Sequence, residues 1–311
     1  MESSAGVSHS VQHLAGTVAI VTGGSNGIGA QTVKLLSSHG SNVVIADLES
    51  TAGDAEALIA SLSHPQNAMF FPTNILIWEE MKLLFRHTIE RLGRVDIVIA
   101  NAGIMESKSV FDLAALDSQG ELQESVEGFR VLDVNLKGTF NTLRLALFHM
   151  QGNKPCFPIS SRGSIVLITS TSGYFGSSGV GAYVASKHGV VGLLRSCQMT
   201  AQAISVKVNA VAPFYTPTRT FSNLSEKYGT SELKANSVEE VANAIVQTCL
   251  ASVSGRCVLV AGGLMREMEA TRTGLMSAWL GEDMAEILQS AGKLFAEGGY
   301  PLPERRIDSP M

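Results

Sequence analysis

A chain of 311 residues with 45% hydrophobic content is long enough to bury a substantial α/β core, which excludes disorder as its general state. Its net charge of −5 comes without long blocks of one sign, so the sequence carries neither a nucleic-acid footprint nor a polybasic membrane patch, and a small molecule is the expected partner. Four scattered cysteines (Cys156, Cys197, Cys249 and Cys257) form no C-x-x-C pair and no disulfide framework, which fits a reducing, cytoplasmic compartment; no metal is expected.

Residues 1–13 are polar and Ser-rich, without a basic segment or apolar run, and are expected to be a loose tail and not a secretory signal. Thr17 to Val21 is a β-branched strand ending in glycines, and Ala30 to Ser38 is a helix closed by Gly40. Asn42 to Ala46, ending in Asp47, and Met69 to Pro72 are further strands around a helix at Ala52 to Ser61. Trp78 to Leu92 is helical and Val95 to Ala100 is a strand. A long helical pattern covers Leu122 to Met150. Ser164 to Thr169 is a strand, Ala182 to Ala203 a helix, and Val206 to Ala212 and Val258 to Ala261 the last strands.

No run approaches the roughly 18 apolar residues of a membrane span. Short apolar strands alternating with helices predict an α/β fold, a doubly wound and mostly parallel sheet with helices on both faces, in one domain over residues 14–263. Two insertions, Met105 to Gln123 and Phe214 to Asn236, follow strands on the ligand-binding side of such a sheet and are expected to wall a substrate site. Residues 264–311 form a C-terminal extension with a helix at Gly281 to Phe295, expected to cap the site or an oligomer contact.

Chemistry enters at three places. Thr22 to Gly29 (TGGSNGIG) joins the first strand to the first helix, where glycines let the backbone approach a pyrophosphate and the helix N-terminus favours anions. Asp47 ends the second strand, about where an acidic side chain meets the adenosine ribose hydroxyls; a turn residue at a strand end is its other reading. A carboxylate there repels a 2′-phosphate and Asn26 adds no positive charge, so NAD is expected over NADP. Finally, Tyr183 precedes Lys187 by four residues on one helix face, where an ammonium lowers the pKa of a phenol. That pair alone equally fits a solvated helix face.

Together these residues resemble the short-chain dehydrogenase/reductase family, a single-domain Rossmann-like family, over about Leu14 to Gly263. Gly23, Ser25, Asn26, Gly27, Ile28 and Gly29 lie in its cofactor turn, Asn101, Ala102 and Gly103 match its N-A-G, and Tyr183 with Lys187 matches its Y-x-x-x-K. The resemblance implies a catalytic set of Ser170, Tyr183, Lys187 and Asn135. Thr169, Thr171 and Ser172 offer similar chemistry beside Ser170, and an ordinary helix asparagine is the other reading of Asn135. It also implies that Asp47 and Leu48 flank the adenosine, Asn101 lies near a ribose, Tyr183 and Lys187 hold the nicotinamide ribose, and Thr216 and Thr218 hold its carboxamide. Asn74 stands where an adenine-contacting aspartate is usual, and Phe214 replaces a usual glycine, leaving less backbone freedom and adding an aromatic beside the nicotinamide pocket. The stretch YVASKHGVVG, Tyr183 to Gly192, resembles the subgroup containing hydroxyprostaglandin dehydrogenase.

The implied activity is hydride transfer between a nicotinamide cofactor and a secondary alcohol or ketone. Met105, Phe111, Tyr174, Phe175, Phe214, Tyr215 and Phe221 lie on the candidate pocket loops and suggest an apolar skeleton of steroid, prostanoid, terpenoid or polyketide type, unless they are core. An NADPH-dependent ketoreductase and a catalytically silent nucleotide sensor are the competing expectations. Family members form dimers and tetramers through the helices at Leu122 to Met150 and Ala182 to Ala203, so a homodimer or homotetramer is expected, although Val131, Val134, Leu143 and Leu147 equally suit a core.

Overall fold

The computed structural model describes residues 14–155, 161–176, 178–218, 233–296, 299–300 and 302. Cys156 and Phe221 lie outside the described residues. The described residues up to Met268 form one compact unit.

Eight strands make one sheet in the order β3-β2-β1-β4-β5-β6-β7-β8. They are β1 (Val18–Thr22), β2 (Asn42–Asp47), β3 (Ala68–Pro72), β4 (Ile97–Ala100), β5 (Gly163–Ile168), β6 (Val206–Pro213), β7 (Cys257–Ala261) and β8 (Leu264–Glu267). All neighbours pair parallel except β7 with β8. Strands β1, β4, β5 and β6 are buried throughout, which is why they read as continuous apolar runs without alternation.

Alternate residues of the strands feed two cores. Ile20, Val44, Val98 and Ile165 point into one, with Phe85, Leu143 and Leu194 from the helices α3 (Trp78–Leu92), α5 (Thr139–Met150) and α6 (Gly181–Ser196). Ala19, Val21, Ile45 and Val166 point into the other, covered by α1 (Gly27–Ser38), α2 (Ala52–Ala60) and α8 (Val238–Leu250). The doubly wound arrangement expected from the sequence is therefore present.

Four local features differ from the sequence reading. The sheet continues past Gly263, because Gly262 and Gly263 both take positive φ (57° and 81°) and turn the chain back so that Leu264 pairs with Ala261. Two adjacent left-handed residues match the twist of a two-residue hairpin, and glycine adopts them without a Cβ penalty. Helix α8 is absent from the sequence reading, although Ser237 and Glu240 form a reciprocal capping box at its start. The long helix expected over Leu122 to Met150 begins at α4 (Val126–Leu132), passes through a π turn at Asp133–Gly138, and continues as α5. The helix expected over Ala182 to Ala203 divides into α6 and α7 (Gln198–Ala203).

Val131 and Leu143 are buried, and Val134 and Leu147 pack against the core. The large hydrophobic residues that face outward on α4 and α5 are instead Val126, Phe129, Phe140 and Phe148. The chain from Glu269 forms a second unit, with α9 (Glu269–Gly274), α10 (Met276–Leu280) and α11 (Glu282–Ala296). No helix among the described residues is long and apolar enough to cross a membrane.

Candidate active site

The glycine turn leaves β1 at Thr22 and enters α1 at Gly27. Gly23 has φ +63°, and a Cβ there would lie 2.8 Å from the Ala102 Cα, so this position needs glycine on both conformational and steric grounds. Asn101 locks the same contact. Its Nδ2 donates to the carbonyl oxygens of Thr22 and Gly23, both at 3.0 Å, while the backbone N–H groups of Asn101 and Ala102 donate to Thr22 Oγ1 at 3.0 and 3.2 Å. The N-A-G segment thus holds the turn in shape, and the Asn101 carboxamide nitrogen is committed to that task.

Asn26 occupies the N-cap of α1 without a side-chain capping bond, and its Nδ2 donates instead to Asp54 Oδ2 at 3.1 Å. The start of a 12-residue helix is thereby left without a side-chain cap, which suits a pyrophosphate. Ile28 and Gly29 lie in its first turn, and Thr218 packs close to Gly27, where an added Cβ would sit 3.2 Å from Thr218 Cγ2. Thr218 therefore stands at the glycine turn. Thr216 is 1% exposed, with its hydroxyl donating to the Phe214 carbonyl at 3.0 Å.

At the end of β2, Asp47 accepts from Ser25 N (3.1 Å) and from Leu48 N (2.8 Å). Each oxygen uses one of its lone-pair directions and keeps capacity for a ribose hydroxyl. Ser25 Oγ accepts from Thr51 Oγ1, and Leu48 is exposed beside the carboxylate. With Asp47 and Asp54 both at this corner, the field is negative. Asn74 accepts from Leu76 N at 3.0 Å through Oδ1, so its carboxamide serves the turn before α3. These donors and acceptors fit a dinucleotide.

The proposed proton-transfer group lies on α6. Tyr183, Lys187 and Ser170 are 8%, 4% and 7% exposed, which removes the solvated-face reading of the pair. Ser170 follows β5, accepts from Ser172 N at 3.1 Å, and hydrogen-bonds the Tyr183 phenol. Its neighbour Thr169 is spent on α6, donating to the Lys187 carbonyl at 2.9 Å. Lys187 Nζ donates to the Ile168 carbonyl at 2.9 Å and lies 5.5 Å from the centroid of the Tyr183 ring. Gly103 admits this ammonium; a Cβ there would come within 3.2 Å of Asn135 Oδ1 and 3.5 Å of Lys187 Nζ.

Burial pushes the Tyr183 phenol up to about 12; the Ser170 hydrogen bond opposes this and the nearby Glu106 carboxylate adds to it. Burial also holds Lys187 down to about 8. This differs from the expectation that Lys187 lowers the tyrosine. The ammonium sits over the ring and is engaged by Ile168, while desolvation of the phenolate is the larger effect.

Asn135 lies in the π turn, fully buried. Its Nδ2 donates to the Ile104 carbonyl (2.8 Å) and to Ser186 Oγ (3.0 Å), and its Oδ1 accepts from Ile104 N (2.8 Å). Ser186 in turn donates to the Tyr183 carbonyl at 2.7 Å. The asparagine therefore ties the loop after β4 to the tyrosine helix.

Around Tyr183 the packing is apolar, with Ile104, Met105, Val110, Leu132 and Val180 gathered on Val131 and Ala182. Phe111 and Phe175 are exposed, whereas Tyr174 packs against the core and Tyr215 is buried. Phe214 is partly buried, and its N–H donates to the Val260 carbonyl at 2.8 Å. Ser205 is the one non-glycine with positive φ among the described residues, so the backbone at Phe214 does not require the glycine it replaces. A separate groove of about 600 Å³ between α3 and α5, lined by Trp78, Arg86, Arg144 and Phe148, contains none of these residues.

Two residues that sequence reasoning missed belong to this region. Glu106 accepts from Ala182 N at 2.9 Å and from Tyr183 N at 3.1 and 3.3 Å. Asn236 donates to the carbonyls of Val260 (2.9 Å) and Phe214 (3.3 Å) and accepts from Gly262 N (2.8 Å), fixing the strand ends after β6 and β7. Neither belongs to a spaced motif, and their partners are distant in sequence.

Residues 17–229 match the family model described as short chain dehydrogenase. The chain is 30% identical to the short-chain dehydrogenase/reductase prx4 of Penicillium roqueforti over 292 residues, covering 87% of this chain and 82% of that protein. It is 31% identical to short-chain dehydrogenase reductase 4 of Arabidopsis thaliana, covering 81% and 83%. With human 3-hydroxyacyl-CoA dehydrogenase type-2 it shares 32% identity, covering 68% and 78%.

Proposed function

This chain belongs to the short-chain dehydrogenase family of NAD(P)-dependent oxidoreductases, and we propose from that premise that it interconverts a secondary alcohol and a ketone on a mostly apolar small molecule, with NAD preferred. The observation that carries this reading is the convergence of Ser170, Tyr183 and Lys187, three buried polar side chains from α6 and the segment after β5, next to Gly103 of the segment that locks the glycine turn.

The bound dinucleotide supplies the hydride acceptor or donor. In oxidation, Tyr183 as phenolate takes the proton of the substrate hydroxyl; in reduction, the phenol returns it. Ser170 holds the substrate oxygen. Its bond to the Pro213 carbonyl is long, at 3.3 Å, so the hydroxyl hydrogen is available to turn toward that oxygen. Lys187 would hold the nicotinamide ribose, and it brings positive charge to the phenol when protonated. Asn135 keeps the loop after β4 and the tyrosine helix in register and would anchor a water relay from Lys187. The apolar packing of Ile104, Met105 and Val110 near Tyr183 supports an apolar substrate skeleton.

Asp47 supports NAD, since its carboxylate is fixed by two backbone N–H groups and cannot swing away from a 2′-phosphate without losing both. The outward-facing Phe129, Phe140 and Phe148 on α4 and α5 support a homo-oligomer. The deciding experiment supplies NAD+ or NADP+ with a panel of hydroxysteroid, prostanoid, terpenoid and polyketide-type secondary alcohols, and reads reduced cofactor at 340 nm. Turnover with NAD+ is expected. A clear NADP(H) preference overturns the cofactor assignment, and the absence of turnover with every alcohol and matching ketone overturns the activity.

A further inference from the structure

Helix α6 begins without a local cap, since Val180 at its N-cap position has no side-chain oxygen and makes no capping bond. The first-turn N–H groups of Ala182 and Tyr183 instead find both carboxylate oxygens of Glu106, which lies 76 residues earlier and is 5% exposed. A serine or aspartate at position 180 provides such a cap at the surface at little cost. Burying a carboxylate for the same purpose is expensive, and the helix N-terminus offsets only part of that cost. The location, against the backbone of the proposed proton-transfer residue, makes the expense intelligible.

We propose that Glu106 is a positioning residue for Tyr183: its carboxylate anchors the first turn of α6 and sets a negative charge against the Tyr183 backbone. That charge opposes ionisation of the phenol. This inference rests on the reading of Tyr183 as the proton-transfer group. Lys187 faces the same ring from its own helix. Ser170 and Asn135, from β5 and the π turn, are neutral. On α4 and the π turn, Arg130, Asp133 and Lys137 are exposed, and Glu127 is held by Ser107. His188 on α6 is exposed, and Lys207 on β6 is committed to the carbonyls of Cys249 and Ala251. Glu106 is therefore the anion among the described residues that contacts the Tyr183 backbone.

The test labels the protein with tyrosine carrying ¹³C at Cζ, which gives five signals, and assigns Tyr183 by its loss in Tyr183→Phe. Glu106→Gln keeps an acceptor for the helix N–H groups but removes the charge, and is expected to lower the Tyr183 titration midpoint by about one pH unit. Glu106→Asp, whose carboxylate is drawn back by one methylene, is expected to shift it in the same direction by less. With NAD+ and the best alcohol of the panel, the acid limb of kcat/KM moves to lower pH in Glu106→Gln. A cap with only a structural role lowers the rate at every pH and leaves that limb in place. An unmoved or raised midpoint in whichever variant folds overturns the proposal. Full turnover in Tyr183→Phe overturns the proton-transfer reading instead, while the titration still decides the influence of Glu106 on the phenol.

Discussion

Asn135 and the backbone of Ile104 close a ring of two hydrogen bonds, the side-chain Nδ2 donating to the carbonyl and Oδ1 accepting from the N–H, each at 2.8 Å. A carboxamide satisfies both backbone groups at once, which neither a carboxylate nor a hydroxyl can do in that geometry. Asn135→Ala leaves buried groups without partners and is expected to destabilise the fold by about 2–4 kcal/mol. Urea unfolding of the variant against the wild type measures it. A loss under half a kilocalorie removes the ring from any account of stability.

Tyr183→Phe removes the phenol oxygen and leaves the packing of the ring in place. Turnover is expected to fall by about 10²–10⁴-fold with unchanged far-UV circular dichroism. Ser170→Ala is expected to lower kcat by about 10²–10³-fold, the range for removal of one preoriented donor. Steady-state rates for both variants with the same alcohol provide the comparison.

Asp47→Ser keeps a short polar side chain at the end of β2 and removes the negative charge proposed to face the ribose. Combined with Leu48→Arg, at an exposed neighbouring position, it places a cation where a 2′-phosphate would lie. The ratio of Kd for NADP+ to Kd for NAD+, read by calorimetry, is expected to fall by about a hundredfold, or about 2.7 kcal/mol. An unchanged ratio places adenosine recognition elsewhere.

Stability should depend on pH with a maximum on the alkaline side. Burial lowers Lys187 to about 8, so between there and its ordinary 10.5 the unfolded chain binds more protons and the folded state gains stability as pH rises. Burial raises Cys197 and Cys249 to about 11 and Tyr183 to about 12, so above their ordinary 9.0 and 10.0 the folded state holds protons that the unfolded chain releases, and stability falls. The two slopes cross at about pH 9. Melting temperatures from pH 7 to 11 should show the maximum, and Lys187→Met should flatten its rising limb.

The strands and the glycine turn were legible because burial on both faces leaves an unbroken apolar run, and because the turn has a fixed place between strand and helix. The four proposed catalytic residues were legible only through spacing and resemblance, since their proximity depends on strand order. Helix α8 had its signal in Ser237 and Glu240, but it followed a stretch read as an insertion. The π turn at Asn135 has no comparable signal: its extra residue is accommodated by Ile104 and Ser186, neither of them adjacent in sequence. Glu106 was equally unreadable, because a carboxylate in a loop announces no helix 76 residues away.

The clamp of Asn101 on the glycine turn has a consequence for how the chain reaches its working state. Thr22 and Asn101 are brought together by the pairing of β1 with β4, two strands separated in the chain by β2 and β3. A partly assembled chain in which only β1, β2 and β3 have formed lacks the bonds that shape the nucleotide turn. Dinucleotide affinity therefore requires the β1–β4 register, and a bound cofactor stabilises the topology that contains it by mass action. Nucleotide supplied during refolding therefore acts only on chains in which β1 and β4 are already paired.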